Sequence, residues 1–313
     1  MTAPILERSA PAKTILCGEH SVVFGRPAIA VPVSTMRARA SVLPGPAGSG
    51  LVIRALDLGR EWVLRNVRPD QPLVRMAQLV LESLESPEPD AIMTLSSDVP
   101  VASGMGSGAA ISVAVARALS AFLGSELPPE VVSALTYEVE KIHHGTPSGI
   151  DNTVIAYEQP VYFVRGAPPE TFHIHSPFHL LIANSGIAAS TRDSVAEVHQ
   201  RWEAAPSYYN VIFDCIGAIV QAAREAVEQG ALQALGMLFN ENHELLARMG
   251  VSIFELDRLT DAAREAGALG AKLTGSGHGG NIIALVEPDT VDAVRQALVA
   301  AGATATWHAE IGC

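Results

Sequence analysis

Lysine is nearly missing from this chain. Of 21 basic residues 18 are arginine, and lysine occurs only at Lys13, Lys141 and Lys272. The two are not interchangeable, because only the compact ammonium readily serves as a point charge beside a reacting hydroxyl. A chain so inclined to arginine keeps lysine where arginine would not serve, and each of the three falls inside a motif described below. Cysteine is also scarce. Cys17, Cys215 and Cys313 are odd in number and far apart, which excludes a zinc spacing and suits a reducing compartment. Positive charge is lacking as a whole: the formal net charge is −12. That excludes a protein built mainly to grip nucleic acid, while leaving room for a small anionic ligand held by a few local donors.

Long hydrophobic runs are absent too. The most apolar stretches are 109–123, interrupted by Arg117, and 210–223, interrupted by Asp214 and Gln221. A spanning helix needs roughly 20 predominantly apolar residues, so both read as buried core helices. The N-terminal stretch carries Glu7, Arg8 and Lys13 without an apolar h-region, and no secretory signal is expected. A cytoplasmic protein with no membrane partner is the expectation. With 313 residues, 48% of them apolar, the chain has material for two packed domains.

The first hundred residues read as β-rich: short apolar runs at 14–17, 28–33, 51–56 and 92–95 alternate with Gly and Pro. Helical periodicity follows over 109–123 and 129–143. The second helix carries Val132, Leu135, Val139 and Ile142 on one side. A further strand region is predicted over 153–164, an apolar strand over 179–184, and helices through much of 190–266. The chain closes as strand 282–286, helix 289–301 and strand 304–308. A boundary near residue 178 divides it into 1–177 and 178–313.

Three glycine-bearing segments carry possible chemistry. Pro100-Val-Ala-Ser103-Gly104-Met105-Gly106-Ser107-Gly108-Ala109-Ala110 follows a strand and opens an apolar helix. Glycine permits tight turning and close approach, and a helix start offers unpaired N–H groups to a phosphate. A plain connector has the same composition. It is not a Walker A loop, having no Gly-Lys-Ser or Gly-Lys-Thr. The loop 275–280 fits G-x-G-x-x-G but runs into a strand instead of opening a helix, so a structural turn explains it better than a dinucleotide site. Nor has the chain the His-Arg-Asp or Asp-Phe-Gly partners of a protein kinase. The third segment, 140–152, places Glu140 near a helix end stopped by Gly145 and Pro147, and Ser148 and Asp151 on a tight loop. Such a loop makes either a site or an Asx-type turn. His173 and His175 would share one face of a strand near His179, where a metal could bind; an exposed strand face is the ordinary explanation.

Taken in order, these motifs resemble those of the GHMP kinases. The segment from Ala10 to Gly25, with Gly18-Glu19-His20-Ser21-Val22-Val23, resembles the family's first motif and is more narrowly similar to that of the mevalonate kinases. Galactokinases usually carry Thr-Asp after this His. The 100–110 segment resembles the ATP phosphate loop, 144–152 the catalytic loop, 190–192 a substrate-side segment, and 272–280 the third motif. The resemblance implies an α+β two-domain fold, ribosomal-protein-S5-like in its first half and ferredoxin-like in its second. It also implies ATP, magnesium, a mevalonate-type acceptor and a homodimer. Residue by residue it makes Asp151 and Lys13 catalytic. Glu140 becomes the magnesium ligand, and Pro100, Ser103, Gly104, Met105, Gly106, Ser107, Gly108 and Ala109 the nucleotide loop. Glu19, His20, Ser148 and Thr191 fall on the acceptor side. The departure is Gly108: the family's loop usually has a second serine there, whose hydroxyl reaches magnesium, so water or the Ser107 hydroxyl is expected to substitute. Another GHMP kinase, acting on phosphomevalonate or a sugar, and a silent ligand sensor on the same fold are the alternatives.

Overall fold

Two long strands open the chain because their sequences alternate or are apolar throughout. The computed structural model describes residues 6–67, 71–101, 103–144 and 147–312. Strand β1 spans Leu6–Cys17 and its last eight residues are all buried. Strand β2, Ala28–Pro44, alternates in its second half: Met36, Ala38, Ala40 and Val42 face inward while the residues between them are partly exposed. Slipping such a strand by one residue would turn its apolar face to water, so its register is strongly specified.

The described residues form two compact units. The first takes the chain up to Ala12, then Met36–Val101 and Gly106–Glu158; the second takes Lys13–Thr35, the residues just before Gly106, and the chain from Gln159. In the first unit β3 (Leu51–Ala55) pairs antiparallel with β4 (Arg60–Val63). Helix α1 (Pro72–Ser83) follows, and then β5 (Ala91–Ser97), which lies between β3 and the second half of β2. Helices α2 (Ser107–Phe122), α3 (Pro129–His144) and α4 (Ile150–Tyr157) pack on one another, and α1 and β5 also pack on α2. Small residues explain this closeness. Ala109, Ala110, Ala114, Ala116 and Ala118 of α2 are buried, letting neighbouring backbones approach. Fully buried Ile53 and Met93 supply apolar bulk beneath, each worth about 1.5–3 kcal/mol against exposure.

In the second unit, β6 (Val161–Phe163) pairs with the first residues of β2 and with the short β7 (Glu170–Thr171). The rest is an antiparallel sheet beneath helices. Strand β8 is Phe178–Asn184, helices α5 to α8 are Thr191–Ala204, Pro206–Gln229, Leu232–Met249 and Phe254–Glu265, and β9 and β10 are Gly270–Thr274 and Asn281–Val286. Helix α9 (Val291–Ala300) and β11 (Ala305–Ile311) close it, with strand order β11-β8-β10-β9. All six residues of the inner strand β10 are buried, whereas β11 at the edge is exposed at His308 and Glu310. At α7 on β9 the two backbones touch: a Cβ on Gly270 would stand 1.9 Å from the Gly236 carbonyl. That contact needs glycine on both sides and fixes the height of β9.

Three local expectations are corrected. Residues 150–157, expected as loop and strand, form helix α4, and only Val161–Phe163 is strand. The β-branched run Thr153-Val154-Ile155 is helical because it buries against α2 and α3, and tertiary packing outweighs propensity. Helix α1 lies in a region read as β-rich. His173 and His175 lie outside any strand, and among the described residues no group of three or more His, Cys, Asp or Glu could hold a metal ion.

Candidate active site

Each unit contains its own set of the residues singled out in the sequence. In the first unit the site is made of helix ends. Gly106, at φ 75°, caps the start of α2, and no side chain caps it. The first-turn N–H groups of Ser107, Gly108 and Ala109 therefore lie at the positive end of a 16-residue helix, the setting in which a phosphate oxygen is held. Gly108 itself has ordinary helical backbone: it lies inside α2 and is not among the glycines at positive φ. Glu140 sits one turn before the end of α3 and is only 5% exposed.

Asp151 lies in the first turn of α4, not on a free loop. Gly149, at φ 95°, makes the turn into this helix, and the Thr153 hydroxyl donates back to the Gly149 carbonyl at 2.7 Å. Next to Asp151, the Asn152 amide donates to the Ser133 carbonyl and hydroxyl of α3 at 3.1 and 2.9 Å. The Ser148 hydroxyl accepts from the Ile150 N–H at 3.4 Å. A carboxylate in the first helical turn is favoured by the helix dipole. The expected Ser/Asp cluster is thus a helix start held by three side chains.

In the second unit the first and third motifs are laced together. Alternate residues at the end of β9 and just past it each reach the end of β1 or the turn after it. The Lys272 ammonium donates to Glu19 Oε1, and also to the Leu273 carbonyl at 2.6 Å. The Thr274 hydroxyl donates to the Ile15 carbonyl at 3.0 Å and lies 3.2 Å from the Thr14 hydroxyl. His20 Nε2 lies 3.0 Å from the Ser276 carbonyl. A carbonyl can only accept, so His20 is the Nε2–H tautomer. Thr191, at the start of α5, donates to the Ser276 hydroxyl at 3.4 Å. The phosphate-loop residues before Gly106 join the same lattice: the Lys13 N–H donates to the Met105 carbonyl at 3.1 Å, and the Asn281 amide to the Ser103 carbonyl at 2.7 Å. Gly104, at φ 76°, is exposed and has nothing within 4 Å of a Cβ position.

Burial sets the electrostatics of this half. Lys13, Glu19, His20 and Lys272 are 5% exposed or less. Burial raises the Glu19 carboxyl above its ordinary value, against the pull of Lys272 and, more weakly, of Lys13. Burial also lowers the His20 imidazole to about 4; the Ser276 carbonyl opposes this and His278 adds to it. Cys17 is pushed up to about 12 by burial, with Lys272 pulling it down, and is an inert thiol. From behind, His243 Nδ1 accepts the Leu273 N–H at 3.2 Å while Nε2 bonds Asp257 at 3.1 Å.

Of the three lysines, then, Lys13 and Lys272 are buried, whereas Lys141 is a surface residue paired with Glu138 at 2.7 Å. Glu19, expected on the acceptor side, has no exposed side-chain surface and faces Lys272. Thr274, Ser276 and Asn281 carried no separate signal in the sequence, since hydroxyl and amide side chains of this kind are common and their partners lie far off in the chain.

The chain belongs to the GHMP kinases: the description "GHMP kinases N terminal domain" matches residues 72–159, and "GHMP kinases C terminal" residues 223–304. Its relatives include a mevalonate kinase of Thermococcus sibiricus, 36% identical over 94% of this chain and 92% of the relative. A mevalonate kinase of Pyrococcus horikoshii is 38% identical over 88% and 87%. Among solved structures, L. major mevalonate kinase in complex with R-mevalonate matches with TM-score 0.85 and 31% identity, covering 99% of this chain and 98% of that one. The fold is therefore the α+β fold of two GHMP domains, and the chain is a kinase, for which the family implies ATP as co-substrate.

Proposed function

We propose that this enzyme transfers the terminal phosphoryl group of ATP to mevalonate, giving 5-phosphomevalonate. The observation that carries this reading is likeness to relatives named mevalonate kinase along nearly the whole chain. Phosphoryl transfer asks for in-line placement and charge neutralisation rather than covalent help. Asp151 accepts the proton of the attacking hydroxyl. The oxygen bonds to the terminal phosphorus as the bond to the ADP oxygen breaks. Lys13 favours the charge that develops on the attacking oxygen, its buried ammonium being worth more than one in water. Ser107, the N–H groups of 107–109 and the open turn at Gly104 hold the phosphates, with Pro100, Ser103 and Met105 shaping the loop. His20, Ser148 and Thr191 serve the acceptor.

Glu140 offers the hard oxygen that magnesium prefers, and the described residues offer no larger cluster of ligands. That suits magnesium, which commonly keeps waters and takes one or two carboxylates plus phosphates. When bound it neutralises charge on the triphosphate. At Gly108, which offers no hydroxyl, a water or the Ser107 hydroxyl would take the place of the family's serine. The halves 1–177 and 178–313 each contain one of the two matched family segments, and this division, homodimeric assembly and a cytoplasmic setting are part of the proposal. Among the described residues no helix is long and apolar enough to cross a membrane.

The test is ADP release with ATP, magnesium and, in turn, mevalonate, phosphomevalonate, galactose and homoserine. Fastest turnover of mevalonate is expected. Faster turnover of another acceptor overturns the substrate, and no turnover of any favours a ligand sensor.

A further inference from the structure

We infer that Glu19 and Lys272 are a positioning pair for the acceptor site: a buried ion pair that holds the Gly18–His20 turn in the one conformation in which His20 can serve the acceptor. The inference rests on the functional reading above for its kinetic consequence, but not for its structural one.

The turn needs holding. Gly18 is at φ 105°, and a Cβ there would meet Ala28 Cα at 2.4 Å, so the backbone is pressed against β2. His20 is at φ 59°, a conformation that a side chain with a Cβ rarely adopts. Such a residue is strained and persists only where its surroundings over-determine it. Glu19 stands between these two residues. Its side chain and that of Lys272 are both wholly buried. The Lys272 ammonium donates to Glu19 Oε1, the Glu19 backbone N–H and Lys13 act more weakly on the same carboxylate, and Glu19 Oε2 is buried with no hydrogen-bond partner.

An ion pair at this depth is a poor stabiliser. Desolvation offsets much of its attraction, and an apolar pair of the same volume is often as stable. Leaving one carboxylate oxygen unbonded adds to the cost. Its distinctive property is directional: the ammonium fixes where Glu19 goes, and thereby both neighbouring peptides. The lysine end is itself fixed. Its ammonium is tied to the Leu273 carbonyl, the Leu273 N–H is held by His243, and β9 is seated by the Gly236–Gly270 contact. The compact ammonium serves both Glu19 Oε1 and the Leu273 carbonyl from one atom, which the spread nitrogens of a guanidinium would not do in the same way. This accounts for a lysine in a chain that has only three.

The experiment uses the full-length enzyme with Glu19→Gln, which keeps the shape and an acceptor oxygen but removes the charge, and with Lys272→Met. Two readouts are taken. In protein labelled with 15N-histidine, the His20 ring is assigned by its loss in His20→Asn. The wild type is expected to show one Nε2–H tautomer, and both variants a mixture. In steady-state kinetics, the KM for mevalonate should rise at least about tenfold while the KM for ATP stays within about twofold, since misplacement by about 1 Å costs on the order of a hundredfold and Lys13 and Met105 keep their own bond. If Lys272→Met does not fold, Glu19→Gln carries the test. A folded Glu19→Gln with wild-type His20 signals and wild-type mevalonate KM overturns the inference. Should the wild type not use mevalonate at all, the functional reading fails and the tautomer measurement still decides this one.

Discussion

Asn281 reaches from the first residue of β10 to donate a 2.7 Å hydrogen bond to the carbonyl of Ser103 in the phosphate loop. Its own oxygen accepts from the Asn184 amide, also at 2.7 Å. Asn281→Ala removes both of these bonds, and losing a buried hydrogen-bond partner costs about 1–3 kcal/mol. The expected result is a lower melting temperature together with a several-fold higher KM for ATP and an unchanged KM for mevalonate. Equal effects on both substrates would show that the bond serves stability alone.

Asp151→Asn keeps size and the helix start but removes the charge and the proton acceptor. Removing a general base typically lowers the rate by roughly a hundred- to ten-thousand-fold. Turnover should fall in that range, with ATP affinity measured by calorimetry nearly unchanged. Near-normal turnover would make Asp151 a helix-start residue only.

At Gly108 the backbone is helical, so Gly108→Ser introduces no left-handed strain and should fold. Magnesium titration of turnover at saturating ATP separates the ligands. Glu140→Gln should raise the magnesium requirement far more than Ser107→Ala does, because a charged oxygen is lost in one case and a neutral one in the other. An unchanged magnesium dependence in Glu140→Gln would remove it from the metal site.

Two histidines should make the fold acid-sensitive. His20 and His243 both have values lowered to about 4, chiefly by burial; Asp257 pulls His243 upward, and Arg264 and Lys272 push it down. Between the ordinary value near 6.5 and about 4 the unfolded chain binds protons that the folded chain refuses. Stability therefore falls as pH drops through that window, by about 1.4 kcal/mol per pH unit for each histidine, and this contribution flattens below 4. Protonating His243 would also place a proton on the nitrogen that accepts the Leu273 N–H. Denaturant unfolding at pH 7, 5.5 and 4.5 measures the loss, and His243→Gln should shrink it. No difference between wild type and variant would remove His243 as a source.

How far the sequence could be read depended on how local each feature is. Helices α2 and α3 were legible because buried residues repeat at helical spacing between clear breakers. α1 carries the same spacing, with Gln71 capping and Pro72 at its start, but short strands on both sides obscured it. In α4, Thr153, Val154 and Ile155 favour strand when read alone, and only packing on the other helices reverses that. The site residues were legible as motifs; their pairing was not. Lys272 stood out by rarity, yet its partner lies 253 positions away, and no spacing rule connects such distant side chains.

The two compact units trade segments along the chain, and this orders events during synthesis. The first unit has all its parts once Glu158 has been made, but residues 13–35 of the second belong with segments beginning at Gln159. About 155 residues must still be added, which at 5–20 residues per second takes roughly ten to thirty seconds. Throughout that interval the stretch bearing Lys13 and the Gly18–His20 turn has β2 and Met105 already made beside it, but not Lys272, Thr274 and Ser276, which bind it from β9 and the turn that follows.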